Sequence, residues 1–189
     1  MTYNREQDAN FSDRTEVIFR LYKMGFNLIP AKGKQTIVKW KKFQEERVEP
    51  DQMSEWVHQQ PDNFVLLTGA VSWSDLQQGV VVLDADDDES IALVEKHAPE
   101  TPMMQNTGNG GKHFVFRHPE HRVSNRIKTK IGDTTYNLDV RGDGGYIMCP
   151  CSIHPKTGKS YQEVTPWTAE LLKQCPVYDP AWFLSLIHI

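Results

Sequence analysis

Short apolar blocks separated by turn residues run the length of the chain. Residues 14–23 (RTEVIFRLYK) place Val17, Ile18, Leu21 and Tyr22 on one helical face, with Asp13 as N-cap and Gly25 as the stop. Residues 26–30 (FNLIP) predict a short strand that ends at Pro30 and a basic loop, AKGK. A capped helix is expected over 51–58, after Pro50, and Pro61 closes it. Residues 64–67 predict a strand with Gly69 as its turn. The strongest strand covers 79–84, where VVVL is β-branched and continuous and so buried on both faces. It stops in an acid cluster, Asp84-Ala-Asp86-Asp87-Asp88-Glu89. A helix over 90–97 offers Ile91, Leu93 and Val94 to a core. Further strands are expected at 113–117 (HFVFR), 137–141 (NLDVR), 146–149 (YIMC) and 160–163, with glycine turns at 108–111 and 142–145. A helix over 166–174 and an apolar tail at 181–186 complete the pattern. Strands outnumber helices and several join through short glycine turns. The expected class is therefore α+β, a mixed or antiparallel sheet with helices packed on it, rather than a doubly wound parallel fold.

A length of 189 residues, 39% hydrophobic and 24% charged, suits one domain with at most a small appendage. Residues 1–13 form a polar extension without the apolar stretch of a secretory signal. The longest apolar runs, such as VVVL, fall far short of the roughly 18 residues of a membrane span. Cys149, Cys151 and Cys175 are too few for a disulfide framework, so a reducing cytoplasm and no membrane are expected. The net charge of −4 argues against a protein that merely coats nucleic acid. It is, however, unevenly spread. Residues 49–100 hold twelve acids and one base, Lys96, whereas residues 112–130 hold six Lys or Arg and one acid, Glu120. A second basic stretch, 32–42, carries five lysines and no acid. Such runs are either solvated faces or a site where acids hold cations and bases hold phosphates.

Four constellations bear on that choice. In a strand, Asp84 and Asp86 point to the same face, about 7 Å apart, and can share hard cations such as Mg²⁺ or Mn²⁺. The same acids equally suit a solvated strand end that caps the next helix. The run Asn106-Thr-Gly-Asn-Gly110-Gly111-Lys112-His113 lacks the spacing of a phosphate-binding P-loop. Its glycine turn still offers N–H groups to an anion, beside Lys112 and His113, or it is a plain hairpin turn. On the third segment Asp139 and Arg141 share the polar face of a strand. They would complete a three-carboxylate site with a cation for phosphate, or form a surface pair of little weight. The last, Cys149-Pro-Cys151-Ser-Ile-His154, lacks the two-residue spacer of paired zinc cysteines, so buried free thiols are the better account.

In order and spacing these pieces resemble the bifunctional primase–polymerase (prim-pol) domain of the archaeo-eukaryotic primase superfamily. The resemblance runs from Val17 to Tyr161. It begins with Gly25-Phe-Asn-Leu-Ile-Pro30, Lys34 and Trp40, where Gln35-Thr36 replaces the family's usual proline. It continues through Val80-Val-Val-Leu-Asp84-Ala-Asp86, Gly111-Lys112-His113, Leu138-Asp139, and Asp139-Val-Arg-Gly-Asp-Gly-Gly-Tyr146, then Pro150 to His154. It implies an RRM-like sheet with an accompanying α/β module and a catalytic domain over 14–178. It also implies two-metal nucleotidyl transfer from a dNTP or NTP to a primer 3′-hydroxyl on a single-stranded DNA template, in replication of a phage, plasmid or mobile element. Asp84, Asp86 and Asp139 would hold two Mg²⁺ or Mn²⁺ ions, and His113 would meet the incoming triphosphate. Lys112, Arg141, Gly110, Gly111 and, more weakly, Lys34 are candidates for the same charge. The basic stretch 117–130 would contact template or primer. Relatives often continue into a helical region and a helicase module. Here residues 179–189 form a short tail whose LSLIHI ending points to a truncated or fused reading frame. Two other readings use the same residues: a metal-dependent phosphodiesterase or nuclease, and a non-catalytic DNA-binding replication-initiator module.

Overall fold

A computed structural model describes residues 5–72 and 79–186, with side chains from residue 13 to residue 183. The first four residues of the polar extension and the last three of the tail lie outside it. In chain order the elements are α1 (Arg5–Lys23), β1 (Leu28–Lys32), β2 (Gln35–Thr36), α2 (Pro50–His58), β3 (Asn63–Leu67), β4 (Val80–Ala85) and α3 (Asp88–His97). There follow β5 (Met104–Asn106), β6 (Lys112–Arg117), β7 (Lys130–Ile131), β8 (Thr134–Thr135), β9 (Leu138–Arg141), β10 (Tyr146–Met148), β11 (Gln162–Glu163) and α4 (Ala169–Gln174). The architecture is α+β, and its ladders are antiparallel. One sheet has the order β10-β3-β1-β2, a second β11-β5-β6-β4-β9, and β7 and β8 form a small hairpin.

The two larger sheets share a core, and the pleat of β4 shows how. Val80 and Val82 join the side chains of β1, β3 and α2, whereas Val81, Leu83 and Ala85 join a second core with Leu93 and Val94 of α3. All five of these β4 residues are inaccessible to solvent, and each large side chain so buried contributes about 1.5–3 kcal/mol. Period two then carries the first face onward: after Val80 and Val82 come Asp84 and Asp86. The apolar floor between the sheets thus ends in carboxylates.

Several sequence expectations shift. Strand β1 does not end at Pro30 but runs through it to Lys32, because Ala31 and Lys32 pair with Thr36 and Gln35. Helix α1 begins at Arg5, so Asp13 lies inside it instead of capping it. Helix α4 begins later than expected, at Ala169, because Thr168 accepts from the Leu171 N–H and caps it. Strand β5, unannounced in the sequence, pairs with β6 and β11. Around the start of the tail, Phe183 is buried in the second core and Trp182 packs on Phe116 at 4.9 Å. The three thiols are unbridged, and burial pushes each upward, Cys151 to about 11. Among the described residues no helix is long and apolar enough to cross a membrane.

Asp143 fastens the glycine turn after β9. It accepts from the Ala70 and Val123 N–H groups at 3.0 and 2.8 Å and from His118 Nε2 at 2.8 Å. Burial pushes its carboxyl up, but these donors outweigh it and the net shift is downward from the ordinary 3.8. A lowered folded-state value adds stability above the unfolded value, and that stability is lost as pH falls below about 4. We expect Asp143→Ala to lower stability at pH 7 by about 1–3 kcal/mol, since two N–H groups lose their acceptor. The deficit should shrink below pH 4; denaturant unfolding across pH checks both statements.

Candidate active site

The strand register brings distant residues to one place. In the ladders of β4, Asp84 stands opposite His113 of β6 on one side and opposite Asp139 of β9 on the other. His113 Nε2 lies 3.1 Å from Asp84 Oδ1. Arg141 bridges the two acids, with Nη2 at 2.6 Å from Asp139 Oδ2 and 3.3 Å from Asp84 Oδ2. The other Asp139 oxygen accepts from the Lys128 N–H at 2.8 Å. Asp84, Asp139 and His113 are all buried. Burial alone would push the Asp84 carboxyl up, but His113 and Arg141 outweigh it and hold it at about 2. Asp86, one pleat further out, lacks such a partner. Desolvation first, then the charges of Asp84 and Asp139, push it up despite Lys34. This end of β4 therefore holds more negative charge than its cations balance.

All of these side chains but that of Asp139 line a cleft of about 210 Å³ between the two large sheets. Asp84, Asp86, His113 and Arg141 form one wall, with Tyr146 and Met148 of β10 opposite. Lys34 reaches in from the β1–β2 turn, which the Tyr146 hydroxyl holds by donating to the Lys34 carbonyl at 3.2 Å. The buried Nε of Arg141 has no hydrogen-bond partner among the described residues, so its guanidinium retains a donor.

The donor set, three carboxylates on one sheet, has the hard-oxygen chemistry that Mg²⁺ or Mn²⁺ takes, and the surplus negative charge at Asp86 favours a cation. As they stand, the oxygens of Asp84 and Asp139 face Arg141, His113 and the Lys128 N–H. Among the described residues no three His, Cys, Asp or Glu side chains are grouped to grip one ion.

A family model, the N-terminal domain of bifunctional DNA primase/polymerases, matches residues 19–179. The chain belongs to the prim-pol family. No curated protein sequence matches it significantly. Among solved structures, the primase-polymerase (PrimPol) AEP domain of cyanophage S-2L is similar to it with a TM-score of 0.44 and 13% identity. That match covers 93% of this chain and 98% of the other.

Not every residue singled out in the prim-pol sequence reaches the cleft. Lys112 precedes His113 and so points to the opposite face of β6. There its ammonium pairs with Glu95 of α3 at 2.7 Å and lies over Phe114. Gly110 and Gly111 close the hairpin, and their N–H groups are spent inside it. Gly110 donates to the Thr107 carbonyl and Gly111 to the Thr107 hydroxyl at 2.9 Å, which leaves neither for an anion. Gly111 matters sterically: a Cβ there would lie 2.5 Å from the Ala85 carbonyl oxygen, so glycine lets the loop close against the end of β4. Five cleft residues were not among the site candidates in the sequence, Tyr146 and Met148 of β10 being two of them. Thr107 lies just before the predicted turn and Asn109 within it, and Tyr161 flanks both His113 and His154 at ring distances of 6.0 and 6.1 Å. Burial, Asp84 and Asp86 all push the Tyr161 hydroxyl up, so it stays a protonated donor. Burial first, then Lys34 and Lys156, push the His154 imidazole down from its ordinary value.

Proposed function

We propose that this prim-pol domain transfers a nucleotide from a dNTP or NTP to a primer 3′-hydroxyl on a single-stranded DNA template. The observation that carries the reading is the meeting of Asp84, Asp139 and His113 across the two ladders of β4, beside a cleft that Asp84, Asp86 and His113 line. Asp84, Asp86 and Asp139 would hold two Mg²⁺ or Mn²⁺ ions, which when bound activate the attacking hydroxyl and neutralise the leaving pyrophosphate. Arg141 would then exchange its carboxylate partners for phosphate, a planar fork well matched to that anion. His113 donates from Nε2 and Lys34 adds a mobile charge from the other sheet.

The nucleic acid has a surface beside this site. Residues 124–129 run along the outer edge of β9, where Arg126 exchanges two backbone bonds with Val140. Arg122, Arg126, Lys128 and Lys130 are exposed there, and Ile127 is 70% exposed. These cations suit backbone phosphates without reading bases. The overall charge of −4 is compatible with this role because much of the acid lies elsewhere, some of it in the cleft.

The test is incorporation of labelled nucleotides on a single-stranded template with Mn²⁺, with and without a primer. Growth of a labelled strand is expected. Degradation of the DNA without any incorporation would transfer the site to phosphodiester hydrolysis, and neither product would leave a binding module. For His113→Ala we expect the apparent dNTP KM to rise about tenfold, the weight of one charge-assisted hydrogen bond. An unchanged KM removes His113 from the triphosphate.

A further inference from the structure

Strand β5 carries Gln105 directly opposite His113 in the β5–β6 ladder. The residue is wholly buried. Its Nε2 lies 2.6 Å from His113 Nδ1 and 2.8 Å from the Met148 carbonyl oxygen. Its Oε1 has no hydrogen-bond partner among the described residues.

The orientation of this amide follows from the partners. A main-chain carbonyl accepts and never donates, so the end of the amide that faces Met148 is the NH₂. The reverse orientation would set oxygen against oxygen and leave the NH₂ unpaired. The second hydrogen of the same NH₂ then points at His113 Nδ1, which receives it through a lone pair. A proton on Nδ1 would face that NH₂ head-on. The ring proton therefore sits on Nε2, the nitrogen 3.1 Å from Asp84 Oδ1.

We infer that Gln105 is a positioning residue that sets the tautomer of His113 and so presents Nε2–H to the cleft as the donor for an anionic phosphate oxygen. The inference rests on the proposed role of His113 at the triphosphate. Two features separate it from core packing. Leu or Met would fill the same volume without burying an unpaired oxygen, which is costly in a protein interior. And the amide reaches from the five-stranded sheet to β10 of the other sheet, tying the two cleft walls together at the height of the histidine.

The experiment is long-range ¹H–¹⁵N correlation NMR of the imidazole rings in the full chain, without metal, nucleotide or template. His113 is assigned by comparison with His113→Gln. The wild-type ring should show the Nε2–H pattern. In Gln105→Met the constraint at Nδ1 is lost while Asp84 still accepts from Nε2, and the apparent dNTP KM should rise about fivefold with a smaller fall in kcat, the effect of one loosened hydrogen bond. A wild-type ring protonated on Nδ1 alone overturns the inference, and needs no variant that must fold. So does an unchanged KM in folded Gln105→Met. A wild-type chain that incorporates nothing yet keeps Nε2–H sinks the polymerase reading instead.

Discussion

Asp84→Ala and Asp139→Ala should each abolish nucleotide incorporation while leaving a folded protein. Asp84 lines the cleft and Asp139 stands opposite it across the β4–β9 ladder, and neither function nor charge can be supplied by a neighbour: Asp86 is one pleat away and already burdened by like charge. Loss of a single preorganised electrostatic partner commonly costs on the order of 10²–10³ in rate, and a cation ligand should cost at least that. The fold survives because Arg141 touches both acids and keeps one of them in each variant, so no buried charge is stranded. Asp139→Ala also frees the Lys128 N–H, which should cost about 1–2 kcal/mol. Primer extension with purified variants, alongside circular dichroism and thermal unfolding, checks both halves. Incorporation at the parent rate by either variant rejects the assignment of these acids.

Arg141→Ala should act in the opposite sense on metal and on stability. Without the guanidinium, Asp84 and Asp139 stand opposed across β4 and β9, Asp84 keeping His113 and Asp139 the Lys128 N–H. A fully buried pair that loses one partner costs about 3–5 kcal/mol. Here the arginine side chain is 29% exposed and solvent screens part of the repulsion, so about 2 kcal/mol is expected. For a chain of this size that is a fall of roughly 4–8 °C in Tm when measured in EDTA. Mn²⁺ should then recover more stability in the variant than in the parent, because a ligand of the native state stabilises in proportion to its affinity and no guanidinium competes for the oxygens. Equal Mn²⁺ shifts in parent and variant would show that Arg141 and the cation do not share a site.

The elements read most clearly from the sequence were those whose own composition demands burial. The run Val80–Leu83 is apolar at every position, so both of its faces had to be covered, and they are. Period two along β4 was enough to put Asp84 and Asp86 on one side. Helix ends were less legible. Asp13 suits an N-cap, yet the polar residues before it also continue the helix, and local propensity alone does not separate the two. Strand β5 is three residues long and carries no apolar alternation; it exists because β6 and β11 supply hydrogen bonds on either side.

Residue identity and spacing along the chain determined which side chains were available for chemistry: the Asp-x-Asp pair, the histidine after a glycine turn, and the Asp-x-Arg strand. Pairing across strands decided which of them meet. A one-residue difference in phase sends Lys112 to Glu95 and His113 to Asp84, and hairpin closure turns the Gly110 and Gly111 N–H groups inward. Gln105 is the sharpest case, since nothing about a lone glutamine in a short polar strand marks it until the β5–β6 register sets it against His113 and the second sheet brings up the Met148 carbonyl. Local pattern reflects the burial each residue needs by itself, whereas hydrogen-bond partners are chosen by register between segments far apart in the chain, and that choice exists only once the sheets have formed.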